Sequence, residues 1–135
     1  MDRDLILKKL AEVEAYVHEL RTLARPEEIE RDIREERFVA HTLQLAIQAA
    51  LDVASHIVSA QRLGEPETHH ALFELLAKHG YLPHEQVIAL RRMSGFRNLL
   101  VHEYTKVDLG VVRSIVEGRL DDLLSFVDAI RTSAG

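Results

Sequence analysis

Along most of the chain, apolar residues return every three or four positions. Leu5, Ile6, Leu10, Val13, Val17 and Leu20 form one such stripe, which predicts a helix from about Asp2 to Ala24. Pro26 closes it, and residues 27–32 read as a short helical turn. The period resumes at Arg34 and holds to Leu63, predicting a long second helix with Gly64 as a left-handed cap. Pro66 opens a third helix that ends near Gly80, and Pro83 opens a fourth. Asp108 stands as the N-cap of a fifth, which reaches about Arg131. Strand signals are missing: aromatic residues are few, strict alternation is absent and no Asn-Gly turn occurs. Short connections make consecutive helices antiparallel neighbours. The expectation is one all-α domain over residues 1–135, an antiparallel bundle of about five helices.

The second helix departs from a plain amphipathic pattern. His41, Gln44, Gln48, Asp52, His56 and Ser59 follow spacings of three and four, so they share one face. Ordinary solvated faces carry long charged side chains, as the upstream stretch REER does. Between Phe38 and Ala60, Asp52 is the only Asp, Glu, Lys or Arg. A half-buried polar wall, facing a cleft or a partner subunit, fits that absence better than an open surface.

Composition narrows the class. Apolar residues make up 47% and charged residues 29%, a globular balance. The absence of cysteine excludes a disulfide framework and thiolate metal sites, and fits a reducing compartment. The opening MDRDLILKKL is charged and amphipathic, without the apolar core of a signal peptide. No apolar stretch reads as the roughly 20 residues a membrane span needs. A cytoplasmic protein with no membrane partner is expected. The net charge of −5 argues against coating nucleic acid through an overall field. Residues 91–106 run the other way, with Arg91, Arg92, Arg97 and Lys106 against Glu103 alone.

That basic segment contains FRNLLVHEY, residues 96–104, in which Arg97, His102 and Tyr104 are spaced R-x4-H-x-Y. On a straight helix Arg97 and His102 point about 140° apart, while Tyr104 lies within about 20° of Arg97. They converge only if the helix breaks near His102, if the long arginine swings across, or if a second subunit completes the site. A two-fold axis beside this helix would join two Arg-His sets, so geometry prefers a composite site in a homodimer. The residue types suit phosphodiester cleavage without a metal. Histidine can take a proton from a ribose 2′-hydroxyl or give one to a leaving oxygen. The arginine fork binds phosphate at two points and stabilises extra charge in the transition state. The competing structural reading pairs Arg97 with a carboxylate such as Asp52 and makes His102 a helix-end residue.

Other constellations are weaker. Glu67 and His70 form one Glu-x-x-His at a helix start, where capping and surface roles suffice; a dinuclear carboxylate site needs two. Asp52 and His56 could share a metal at i, i+4, but no third ligand is evident, so no metal and no cofactor is expected. His18, His69, His79 and His84 read as surface residues. There is no Gly-rich phosphate loop, Gly-x-Ser-x-Gly elbow or His-Glu-x-x-His.

The motif Arg97-Asn98-x3-His102-x-Tyr104 resembles that of the HEPN superfamily, specifically its HepT-like branch. The segment AIQAALDVASHIVSAQRLGEPETHHALFELLAKHGYLP resembles that branch's second and third helices, and MSGFRNLLVHEYTKVD its fourth helix and the following turn. The resemblance spans most of the chain. It implies an all-helical homodimer whose Arg and His residues line a cleft at the interface, and a metal-independent endoribonuclease toxin, with transfer RNA among its target types. It also implies a cognate MntA-type nucleotidyltransferase antitoxin that attaches AMP units to the motif tyrosine, here Tyr104. Arg97 then stabilises the phosphate, His102 serves as acid or base, and Asn98 orients substrate or the catalytic pair. Asp52 and His56 are added to the cleft from the polar stripe. Two alternatives are a non-catalytic helical dimer that is the binding partner or substrate of a nucleotidyltransferase, and a helical dimer with no ligand.

Overall fold

The computed structural model describes residues 1–134. Six α-helices follow one another: α1 Arg3–Leu23, α2 Ile33–Ala60, α3 His69–Lys78, α4 Val87–His102, α5 Leu109–Gly118 and α6 Leu120–Ala134. Short 3-10 turns lie at Pro26–Glu28, His84–Gln86 and Tyr104–Lys106, and no strand occurs among the described residues.

Local chemistry explains the boundaries. Asp2, Asp32, Thr68 and Asp108 each accept a backbone N–H from the first turn of α1, α2, α3 and α5, the commonest N-cap arrangement. The third helix therefore starts after Thr68 and not at Pro66, because the threonine hydroxyl satisfies the Ala71 N–H. Gly80 ends that helix at φ +85, with Tyr81 N–H bonded to Leu76 O at 2.9 Å and Gly80 N–H to Ala77 O at 3.2 Å. The same closure ends α2, but one residue type differs from expectation. The left-handed position is Arg62, at φ +52, and not Gly64. Gly64 serves another purpose: a Cβ there would meet Leu75 Cδ2 at 3.0 Å. The expected fifth helix is two, α5 and α6. Gly118, a poor helix former, ends α5, and Arg119 N–H closes on Ile115 O at 2.8 Å before Asp121 and Asp122 begin α6.

The long α2 is the hub, in contact with α1, α3, α4, α5 and α6. Ala46, Ala49, Ala50 and Ala54 are buried along it, and their small side chains let the neighbouring helices come close. Leu10, Leu43, Ile47, Ile57, Leu76, Leu90 and Phe126 fill the centre, each fully buried leucine, isoleucine or phenylalanine side chain being worth about 1.5–3 kcal/mol. Phe73 of α3 and Phe126 of α6 meet edge to face, centroids 5.9 Å apart. By length and composition alone α2 could cross a membrane, contrary to the reading of the bare sequence. Its apolar residues are instead the core of the bundle. Two ion pairs tie α1 to α6: Arg131 grips Glu14 through both nitrogens, and Arg21 reaches Asp121 at 2.6 Å.

Candidate functional site

Helix α4 is pinned to the core by Val87, Leu90, Met93, Phe96 and Leu100, which leaves its last two turns to carry the motif along the opposite side. The helix ends at His102. Glu103 adopts φ −139, ψ 47, its N–H closes on Leu99 O at 2.9 Å, and the 3-10 turn Tyr104–Lys106 begins. The angular conflict between Arg97 and His102 is thus met partly by a break at the histidine and partly by the reach of the arginine. Both side chains line one cleft of ≈ 580 Å³, together with Asn98, Leu99 and Glu103 of the same segment. The other wall is Ser55 of α2 and Pro66, Glu67, Thr68, His69 and Leu72 around the start of α3.

Arg97 is half-buried, and Nη1 donates to Asn98 Oδ1 at 3.1 Å. Its Nε is buried without a partner, and no carboxylate lies within ion-pair distance among the described residues. A guanidinium held this way keeps donors for an incoming anion. The structural alternative, an Arg97–Asp52 pair, does not form. Asp52 accepts from Gln48 Nε2 at 2.8 Å and sits 3.5 Å from Lys9 Nζ on α1. His56 likewise faces the start of α1, where its Nε2 accepts the Asp2 N–H at 3.1 Å.

The polar stripe of α2 is half-buried at Gln44, Gln48, Asp52 and His56, as its lack of charge suggested. Its middle nevertheless turns toward α1, so neither Asp52 nor His56 lines the cleft. Ser55 does, and reading the sequence for charged and imidazole groups passed over it. The signal available was the i, i+4 pair Ser55 and Ser59. Glu67 and His69 also belong to the cleft wall, while His70 is half-buried with Nδ1 unpartnered.

Tyr104 is turned away from the cleft and packs on the first turns of α2. Arg37 Cζ lies 5.5 Å from the ring centroid, and the hydroxyl is buried beside the Glu36 carboxylate. Burial pushes the phenol pKa up, the neighbouring Glu36 carboxylate adds to the rise, and Arg37 partly offsets it. Among the described residues no group of three or more His, Cys, Asp or Glu side chains could hold a metal ion.

This arrangement places the chain among all-α proteins that set an Arg-x4-His pair at the end of one helix. The family is shown by comparison: the chain belongs to the HepT-like ribonucleases, whose family model, "Ribonuclease HepT-like", matches residues 6–130. The chain is 29% identical over 129 residues to the mRNA nuclease HepT of Shewanella oneidensis, covering 95% of this chain and 97% of that one. It is 41% identical over 66 residues to the tRNA nuclease HepT of Aphanizomenon flos-aquae, which spans 49% of this chain and 45% of the relative. Its fold matches the tri-AMPylated Shewanella oneidensis HEPN toxin in complex with MNT antitoxin, with a TM-score of 0.88 and 28% identity over 97% of this chain and 99% of that one.

Proposed function

We propose that the chain is a metal-independent endoribonuclease toxin, acting as a two-fold homodimer and silenced by a MntA-type nucleotidyltransferase through AMP units on Tyr104. The observation that carries this reading is the carboxylate-free Arg97 guanidinium sharing one cleft with Asn98 and His102. Arg97 binds the scissile phosphate and offsets the charge that builds on it. As the 2′-oxygen bonds to phosphorus, the bond to the 5′-oxygen breaks; one proton leaves the 2′-hydroxyl and one reaches the departing oxygen. His102 serves one of these transfers. A single imidazole cannot stand at both oxygens at once, and a second His102 across a two-fold axis fills the other position. Asn98 holds the guanidinium. Asp52 and His56, which bond toward α1, support the α1–α2 contact.

Three findings on relatives support the rest: two are named as RNA nucleases, and one matching toxin is AMPylated and complexed with its antitoxin. An AMP on Tyr104 would bring a bulky anion to the turn that follows His102. Purified dimer should cut total RNA with chelator present, and His102→Ala or Arg97→Ala should lower the rate by about 10²–10⁴-fold. Undiminished cleavage by the folded His102→Ala protein would sink the mechanism. A wild-type dimer that binds a nucleotidyltransferase and cuts no RNA would establish the non-catalytic alternative instead.

A further inference from the structure

The cleft does not stop at Ser55. A second cavity of ≈ 450 Å³, lined by Val58, Ser59, Arg62, Gly64 and Glu65, shares Ser55, Pro66 and Leu72 with the first. The two form one groove that leads from the Arg97–His102 cleft to the C-terminal end of α2. Ser55, Ser59 and Arg62 stand four and three residues apart along its wall, spanning roughly 10 Å at the helical rise.

Two observations bear on what these residues can do. Thr22, Thr42, Ser114, Thr132 and Ser133 each fold their hydroxyl back onto the carbonyl four residues earlier, at 2.7–3.0 Å. Ser55 and Ser59, like Ser94 and Ser125, make no such bond; both are exposed and line the groove, so their hydroxyls are available there. Arg62 is the one non-glycine residue at positive φ among those described, at +52. That conformation costs an L-residue about 1–2 kcal/mol, which a glycine would avoid. Its guanidinium has no carboxylate within 4 Å among the described residues, a state it shares with Arg3, Arg25, Arg34 and Arg92, but of these Arg62 alone lines the groove. The groove thus has an unpaired arginine at each end and free hydroxyls between them. Glu65 and Glu67 also line the groove, and Glu103 is engaged by Lys106 at 3.3 Å.

We propose that this groove carries the RNA strand away from the cleavage point, with Arg62 holding a backbone phosphate and Ser55 and Ser59 donating to phosphate or ribose oxygens. The inference rests on the ribonuclease reading of the cleft. It is tested with Arg62→Gly, which removes the side chain while relieving the backbone, so the variant should melt no lower than the wild type. Binding is read by fluorescence anisotropy on a 2′-O-methyl single-stranded oligonucleotide, which cannot be cut, at several salt concentrations. The expected result is about threefold to tenfold weaker binding and a salt slope shallower by about 0.7, one phosphate contact. Arg62→Lys should restore most of that slope. Unchanged affinity and slope in Arg62→Gly overturn the proposal, as does a change in oligomer mass without a change in RNA binding, which would make the groove a subunit contact. Cleavage of the unmodified oligonucleotide by wild type reports on the ribonuclease reading separately. If cleavage is absent while binding depends on Arg62, the groove stands and the reaction falls; if cleavage is present and Arg62 is neutral, the reverse holds.

Discussion

The Tyr104 hydroxyl is buried beside the Glu36 carboxylate, and the Arg37 guanidinium lies over the ring. Any reagent that acts on this oxygen, whether an enzyme or a small molecule, must first meet an opened turn. Arg37→Ala removes the cation–π contact, which at an exposed site such as this is worth about 0.5–1 kcal/mol. If opening is fast and precedes reaction, the open population and the reaction rate should rise about twofold to fivefold. The assay is acetylation by N-acetylimidazole at neutral pH, followed by peptide mass spectrometry. Tyr16 and Tyr81, both half-buried and neither stacked under an arginine, serve as internal references. A small reagent is chosen so that the outcome does not depend on how a partner enzyme grips the surface. In the wild type Tyr104 should be the slowest of the three, and in Arg37→Ala it alone should speed up. An unchanged rate at Tyr104, or equal acceleration at all three tyrosines, would refute the reasoning. The raised phenol pKa gives a matching sign. The protonated form is favoured on folding, so its stabilisation is complete below the ordinary tyrosine value and is lost as pH rises through the folded one. Glu36→Gln should bring the late step in the 295 nm titration down.

Ser94 lies inside α4 with no solvent exposure, and its Oγ has no partner. Ser94→Ala should therefore stabilise the protein by about 1–2 kcal/mol, lifting Tm by about 3–10 °C in a thermal melt; a lower Tm would show that the hydroxyl has a partner in solution. The Glu14 carboxyl is held below its usual value, first by the Arg131 hydrogen bonds and then by its charge, against an opposing effect of burial. Its contribution is present above the ordinary carboxylate value and fades as pH falls through the lowered one. Both side chains are more than a third exposed, so Glu14→Gln should cost under about 1 kcal/mol at pH 7 and flatten the acid limb of the stability curve. An acid limb identical to wild type would show that the pair does not persist in water.

The helices were legible because their signal is local. Ile6, Leu10, Val13, Val17 and Leu20 are all buried as their period requires, and only Leu5 at the edge of that stripe is exposed. Caps were less legible where two residues competed for one role: Gly64 was the better left-handed candidate by chemistry, yet the α2 closure falls on Arg62. The α5–α6 break was hidden because Gly118 and Arg119 interrupt an apolar period that continues on both sides. In the site, Arg97, Asn98 and His102 were readable as a group, since one helix end carries all three. Asp52 and His56 were misplaced for a tertiary reason. Successive helical residues point about 100° apart, so which part of α2 faced the cleft depended on where α1 and α3 docked. The middle of the stripe, Gln44 to His56, is half-buried as read, while His41 and Ser59 at its ends are exposed, and its partner is Lys9 and the Asp2 backbone. The packing of Tyr104 on Glu36 and Arg37 joins residues more than sixty positions apart, and no local pattern announces it.

Only Glu103 separates His102, the last residue of α4, from Tyr104, the first of the next turn. Beyond the last helical residue, the Glu103 N–H closes on Leu99 O at 2.9 Å. Whatever pulls Tyr104 out of its bed on α2 therefore draws on a helix terminus that is already the easiest part of α4 to unwind. Fraying by half a turn would free the His102 imidazole from its fixed direction while leaving Arg97, more than a turn further in, where it is. The silencing proposed above for Tyr104 would then be mechanical as well as electrostatic. Its trace would be faster amide exchange at Glu103 and His102, with the amides around Arg97 still protected.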